Sequence, residues 1–330
     1  MKNKIAILAV LIFAAGLTFA QQNGTGVVKL RGTRLTYPLV RKWIQEFNKE
    51  YPKISVSISP QAPPDSIDFS IASYALTPKE LEGNRSAVVV TRYVQLPIVN
   101  SERPGLAQLQ AKGFTDKDLS SLFFTTATPE LSVSTQSQTP LAIYVRDRPV
   151  CAVKAFAAHF GTDPKEINGT GIKGDDEDLA KAVRNDRNGL SFNNLGFIYD
   201  VKTRKITEGL AVVPLDLNEN GRIDTDEQVY GSLDEVVNFI EKTHHPRFVN
   251  EKVNFVYDKA SKNESAGIFL HWVLTTGQKF SHEFGFLSLD DKFLADQKAI
   301  SGSTFKLSSV SSCEGADELM KKRKSKLAKN

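Results

Sequence analysis

Cysteine, methionine and histidine are scarce in this chain, with two, two and five copies among 330 residues. Two cysteines exclude a disulfide-built scaffold. Cys151 and Cys313 allow a single bridge in an oxidising compartment, and Cys151, inside "RPVCAVKAF", reads equally as a small buried apolar residue. The five histidines show no metal-ligand spacing; His271 and His282 lie on or beside an apolar segment and read as packing or surface residues. GxSxG, HExxH, P-loop and Rossmann glycine signatures are missing, and no nucleophile stands with a recognisable base, so no enzymatic activity is expected. Beyond the first twenty residues no stretch is apolar enough to span a bilayer, and no repeat or low-complexity linker divides the chain.

Residues 1–20, "MKNKIAILAVLIFAAGLTFA", place two lysines before an apolar run and end in the small residues Thr18 and Ala20 at cleavage-site spacing. This is the pattern of a secretory signal peptide. The "QQNG" that follows has no cysteine to take a lipid, so a periplasmic or secreted protein that does not span a membrane is expected. Without Lys2 and Lys4 the formal charge falls from +4 to +2, and six of the remaining positive residues lie in the last ten. The body is therefore mildly acidic, and no nucleic-acid partner is expected. The basic tail, 319–330, reads as a solvated end, with a membrane or nucleic-acid arm as the alternative.

"GVVKLRGT" reads as a strand. Leu39, Val40, Trp43, Ile44 and Phe47 then recur at three- and four-residue spacing, which predicts an amphipathic helix ending near "KEYPK". "ISVSISP", "IDFSIAS" and "LAIYVR" predict strands; "GLAQLQAKG", "TDKDLSSLFF", "CAVKAFAAHFG", "DDEDLAKAVRND" and "SLDEVVNFIEK" predict helices, and "SAGIFLHWVLTTGQKFSHEFGF" a long one. This alternation predicts an α/β sheet. The roughly 310 residues after the signal peptide suffice for two lobes with separate cores. With no linker between them, the lobes are expected to interleave through crossing strands, "YVQLPIVN" and "KVNFVYDK" being the candidates. The first lobe then comprises 21–95 and 253–318, and the second 96–252.

Three stretches could carry chemistry. "DLNENGRIDTDE", 216–227, puts Asp216, Asn218, Asn220, Asp224 and Glu227 at the ligand positions of an EF-hand-like calcium loop. Gly221 permits its turn and Arg222 offers a backbone carbonyl. A strand-like segment precedes the loop, so a fixed structural calcium fits better than a sensor; an Asx-rich loop without metal is the alternative. The stretch "RGTRLTYPLVRKWIQEF", 31–47, opens a helix after a strand, and its mouth is either an anion site or a plain N-cap at Thr36 with Pro38 behind it. In "YVRDRP", Arg146 and Arg148 follow a strand, where a guanidinium can grip an oxyanion or make a surface ion pair.

Several stretches, taken in order, resemble the phosphate-binding proteins of bacterial ABC importers, the PstS type. They are "GTRLTYPLVRKWIQEFNKEYP", "IDFSIASYALTPKEL", "LPIVN", "FTDKDLSSLFF", "LAIYVRDR", "GIKGDDEDLAKAVRNDRNGLSFNNLGFIYD" and "IFLHWVLTTGQKFSHEFGFLSL". The resemblance implies a two-lobed periplasmic-binding-protein-like (type II) α/β fold with interleaved lobes. It also implies a small anion, phosphate by default, in the interlobe cleft and an ABC importer permease as partner. Thr36 and the backbone of Tyr37 match the family's first helix mouth, and Arg146 its ligand arginine. The family's acceptor aspartate falls at Ser73, and its second helix mouth, Ser-Gly-Thr, at Val150, Cys151 and Ala152. These departures leave open a relative that binds no solute: an exported scaffold or adaptor with a structural calcium.

Overall fold

The computed structural model describes residues 25–124 and 140–305; the segment expected to be a signal peptide, Cys313 and the basic tail lie outside them. The first lobe begins with β1 (Gly26–Gly32), α1 (Tyr37–Glu50), β2 (Ile54–Ile58) and β3 (Phe69–Ala72), and β4 (Arg85–Asn100) leads out of it. Next come α2 (Leu106–Lys112), α3 (Asp116–Phe124), β5 (Ala142–Arg146), α4 (Cys151–His159), β6 (Thr170–Ile172) and α5 (Asp176–Arg184). After β7 (Gly189–Asn194), α6 (Leu195–Ile198), β8 (Leu210–Val212) and α7 (Leu233–Thr243), β9 (Val249–Asp258) returns. The described residues end with α8 (Glu264–Leu274), β10 (Phe286–Leu287) and α9 (Asp291–Phe305).

The strands run in the order β2-β1-β3-β9-β4-β7-β5-β6, with β8 and β10 also paired to β4. Two parallel sets, β2-β1-β3 and β7-β5-β6, flank the antiparallel pair β4–β9. Strand β4 begins at Arg85, eight residues before the expected crossing segment, because "SAVVVTR" continues the same ladder against β9 from Arg85↔Asp258 to Gln95↔Val249. From Gln95, which pairs with both β9 and β7, to Val99, it pairs with β7.

Two hydrophobic cores meet along this pair. One gathers Trp43, Phe47, Phe69, Tyr93, Phe255 and Phe269; the other gathers Val94, Phe123, Phe156, Phe192, Ile240 and Val249. The division falls between Tyr93 and Val94 on β4 and between Val249 and Val253 on β9. Helix α1 presents Leu39, Val40, Trp43 and Phe47 to the first core, as its spacing predicts, and the Trp43 indole donates to the Gly277 carbonyl at 2.8 Å. The long late helix expected to run on to "FGF" stops at Leu274. Thr275 leaves helical geometry there, and two 3-10 turns, Thr276–Phe280 and His282–Phe284, follow, with Gly285 at φ 73°. No described helix is long and apolar enough to cross a membrane.

Candidate functional site

A cavity of about 400 Å³ lies between the lobes, at the carboxyl ends of β1, β3 and β5, where ligands of open α/β sheets collect. Gly32 to Leu35, Ser70 to Ala72, Tyr74 and Leu76 contribute from the first lobe; Arg146, Arg148, Val150 to Ala152, Asp175 and Asp176 contribute from the second.

Of the four anion residues expected from the sequence, Arg146 lines this cavity; Thr36, Tyr37 and Ser73 do not. A 3-10 turn, Arg34–Thr36, precedes α1 and uses the amides the anion was expected to meet. The Thr36 N–H and hydroxyl both donate to the Thr33 carbonyl, at 3.3 and 2.8 Å, and the Tyr37 N–H donates to that of Arg34. The Tyr37 hydroxyl turns back to the Gly32 carbonyl at 3.2 Å. The open end of this mouth therefore belongs to Arg34 and Leu35, one turn earlier. Ser73 is fully buried behind the wall, its hydroxyl donating to Thr33 Oγ1 at 3.4 Å and its carbonyl accepting the Tyr93 phenol at 2.8 Å.

Arg146 is 4% exposed. Its Nη2 donates to the Gly174 carbonyl, while Nε and Nη1 are buried with no hydrogen-bond partner. Buried donors of a guanidinium left unpaired are costly, so the site calls for an acceptor. Beside it opens α4, nine residues long, whose N-cap, Val150, has no side-chain acceptor. The first turn of α4 thus has no side-chain cap where Val150, Cys151 and Ala152 line the cavity, and the positive end of the helix dipole adds to the arginine's field.

Asp176 was not anticipated. The "DDEDLAKAVRND" stretch predicts a helix, and Asp175 caps it: its carboxylate accepts from the Glu177 amide at 3.2 Å, while Asp178 accepts from the Asp175 amide at 2.8 Å. That arrangement leaves the next carboxylate, Asp176, 8% exposed on the cavity wall. Burial pushes its carboxyl up to about 6, Arg146 and Arg34 opposing and Asp175 reinforcing the rise.

Contacts also span the cleft. Arg34 donates to the Gly174 carbonyl and lies 3.9 Å from Asp175, and the Lys154 ammonium sits 4.1 Å from the centre of the Tyr74 ring. The Tyr74 phenol donates to Glu80, and burial followed by that carboxylate drives its pKa upward. Cys151, half-buried on the cavity wall, has no disulfide partner among the described residues.

The 216–227 loop folds around its own carboxylates. Asp216, 1% exposed, accepts from the Asn220 and Gly221 amides at 3.2 and 2.8 Å. Glu227, 3% exposed, accepts from the amides of Leu217 and Asp224 at 2.8 and 2.9 Å. Asp224 receives the side-chain amides of Asn218 and Asn220 at 3.0 and 2.7 Å and the Arg222 guanidinium at 3.0 Å. Gly221, at φ 86°, makes the turn as the pattern requires. Hard oxygen donors suit calcium. Among the described residues, no three Asp, Glu, His or Cys side chains gather as a metal cluster.

No family model and no curated protein matches the chain. Solved structures do. An ABC-type phosphate transport receptor from Vibrio cholerae is 12% identical, with a TM-score of 0.57 over 79% of this chain and 100% of that one. An assigned phosphate ABC transporter substrate-binding protein from Clostridium perfringens, holding phosphate, is 14% identical, with a TM-score of 0.59 over 80% of this chain and 100% of that one. Likeness at such identity concerns architecture: the chain has the two-lobed α/β fold of periplasmic-binding-protein-like receptors.

Proposed function

We propose that the chain is an exported solute-binding protein that closes its lobes over a small anion and delivers it to an ABC importer permease. The observation that carries this reading is Arg146, with two buried, unpartnered N–H groups beside the uncapped mouth of α4. Closure follows if the anion contacts both lobes, because a ligand shifts a conformational equilibrium only by its differential affinity for the two states. Inorganic phosphate is the first ligand to test, being named with both structural neighbours. Phosphate that raises the melting temperature of the wild type, and not of an Arg146→Met variant, supports the reading.

An exported scaffold that binds no solute is the second reading. It is favoured by the apolar trio Val150, Cys151 and Ala152 at the second mouth and by the hydrogen bond that already ties Arg34 to Gly174. Absence of a shift with every anion tried selects it.

The loop 216–227 is proposed to hold a structural calcium through Asp216, Asn218, Asn220, the Arg222 carbonyl, Asp224 and Glu227. What supports this is a complete set of oxygen donors at the required spacing around the turn at Gly221. Chelation is the test.

A further inference from the structure

We propose that the cleft selects an organic acid larger than orthophosphate that carries a hydrogen-bond donor beside its anionic group, the class of 2-amino and 2-hydroxy acids. The inference rests on the anion-binding reading above and deepens it. Arg146 and the mouth of α4 take the anionic group; Asp176 takes the neighbouring donor.

Two features of the cavity lead there. Asp176 is more than nine-tenths buried on the cavity wall; its carbonyl accepts the Asn193 side-chain amide at 2.7 Å, while its carboxylate is reached by its own backbone amide and, among the described residues, makes no ion pair or hydrogen bond with another side chain. An ionised carboxylate only accepts, so the capacity that its own amide leaves unfilled suits an ammonium, hydroxyl or amide from the ligand. Four arginines and three carboxylates line the cavity, a balance that suits a monoanion or a zwitterion better than a dianion. The raised pKa of Asp176 agrees: its charge is poorly compensated until a donor arrives.

Size and polarity point the same way. About 400 Å³ falls in the roughly 300–1,000 Å³ range of sites for organic ligands. Ile71, Leu76, Val150 and Val256 line much of it. Oxygens of a desolvated inorganic ion placed against these side chains find no donors, whereas the carbon body of an organic acid fills the same space and gains from burial.

The experiment uses the mature chain and thermal shift followed by calorimetry. Its ligands are a pool of the twenty L-amino acids, a pool of matched 2-hydroxy acids, a pool of the same carboxylates without the 2-substituent, and inorganic phosphate. One of the first two pools is expected to contain a ligand that binds at least about tenfold more tightly than its unsubstituted counterpart and than phosphate. Asp176→Asn is expected to reduce that preference over the unsubstituted acid, and Arg146→Met to abolish binding of both. Equal affinity for the unsubstituted acid, or tightest binding of phosphate, overturns the inference and leaves the anion reading standing if Arg146→Met still abolishes binding. No binding from any pool or from phosphate overturns both.

Discussion

Arg34 and Arg146 approach the carbonyl oxygen of Gly174 from opposite lobes, and both donate to it. That one oxygen ties Arg146, the arginine proposed to hold the anion, to a contact that spans the cleft. Gly174 can serve because it sits at φ 111° and has no side chain; a Cβ there would lie 1.9 Å from the Asp178 carboxylate that closes the α5 cap.

Gly174→Ala is therefore expected to destabilise the protein by roughly 1–3 kcal/mol, through backbone strain and loss of the Asp178 cap. Urea unfolding measures it. A change under about 0.5 kcal/mol is evidence against this geometry.

Asp176 sets a pH dependence opposite to that of a salt-bridged carboxylate. Its folded pKa, about 6, lies above the ordinary 3.8, so the folded state holds its proton more tightly. Stability from this group is greatest below the ordinary value, falls as pH rises through about 6, and stays low above it. Asp176→Asn removes that slope. The unliganded variant is expected to gain about 1–3 kcal/mol on wild type between about pH 4 and pH 7.5. A stability difference that stays flat with pH contradicts the burial of this carboxylate.

Calcium binding in the 216–227 loop predicts that a chelator lowers the melting temperature of the wild type. At calcium about 100-fold above its Kd the stabilisation is about 2.7 kcal/mol. Asp216→Ala loses a buried acceptor of two amides and melts lower in its own right, so the readout is the difference with and without calcium. That difference is expected to vanish in the variant. Wild-type protein that melts identically in both conditions has no calcium site in this loop.

The elements most legible in the sequence are those whose burial is apolar and periodic. Leu39, Val40, Trp43 and Phe47 mark α1, and the runs in β4 and β9 mark the strands between lobes. Helix α9 has no such mark, because its buried residues are Gln297, Ser301 and Phe305, with Gln297 accepting the Val89 amide at 2.8 Å. Of the expected anion residues, Arg146, the last residue of β5, is the one that lines the cavity. The site was not legible at Thr36 and Tyr37, since a 3-10 turn ahead of α1 moves the open amides by a turn and the same Thr-Tyr-Pro string serves either geometry. Asp176 was hidden in an acidic cap, where only the fold separates the capping carboxylates from the one facing the cleft.

Most direct is an anion titration of wild type against Arg146→Met, a substitution that keeps the buried stem and removes the unpartnered donors. The unliganded variant is expected to stay within about 1 kcal/mol of wild type, because its buried charge lacks a paired anion. Its affinity for the best anion is expected to fall about 100-fold or more. Anion binding that survives unchanged in Arg146→Met would contradict the account.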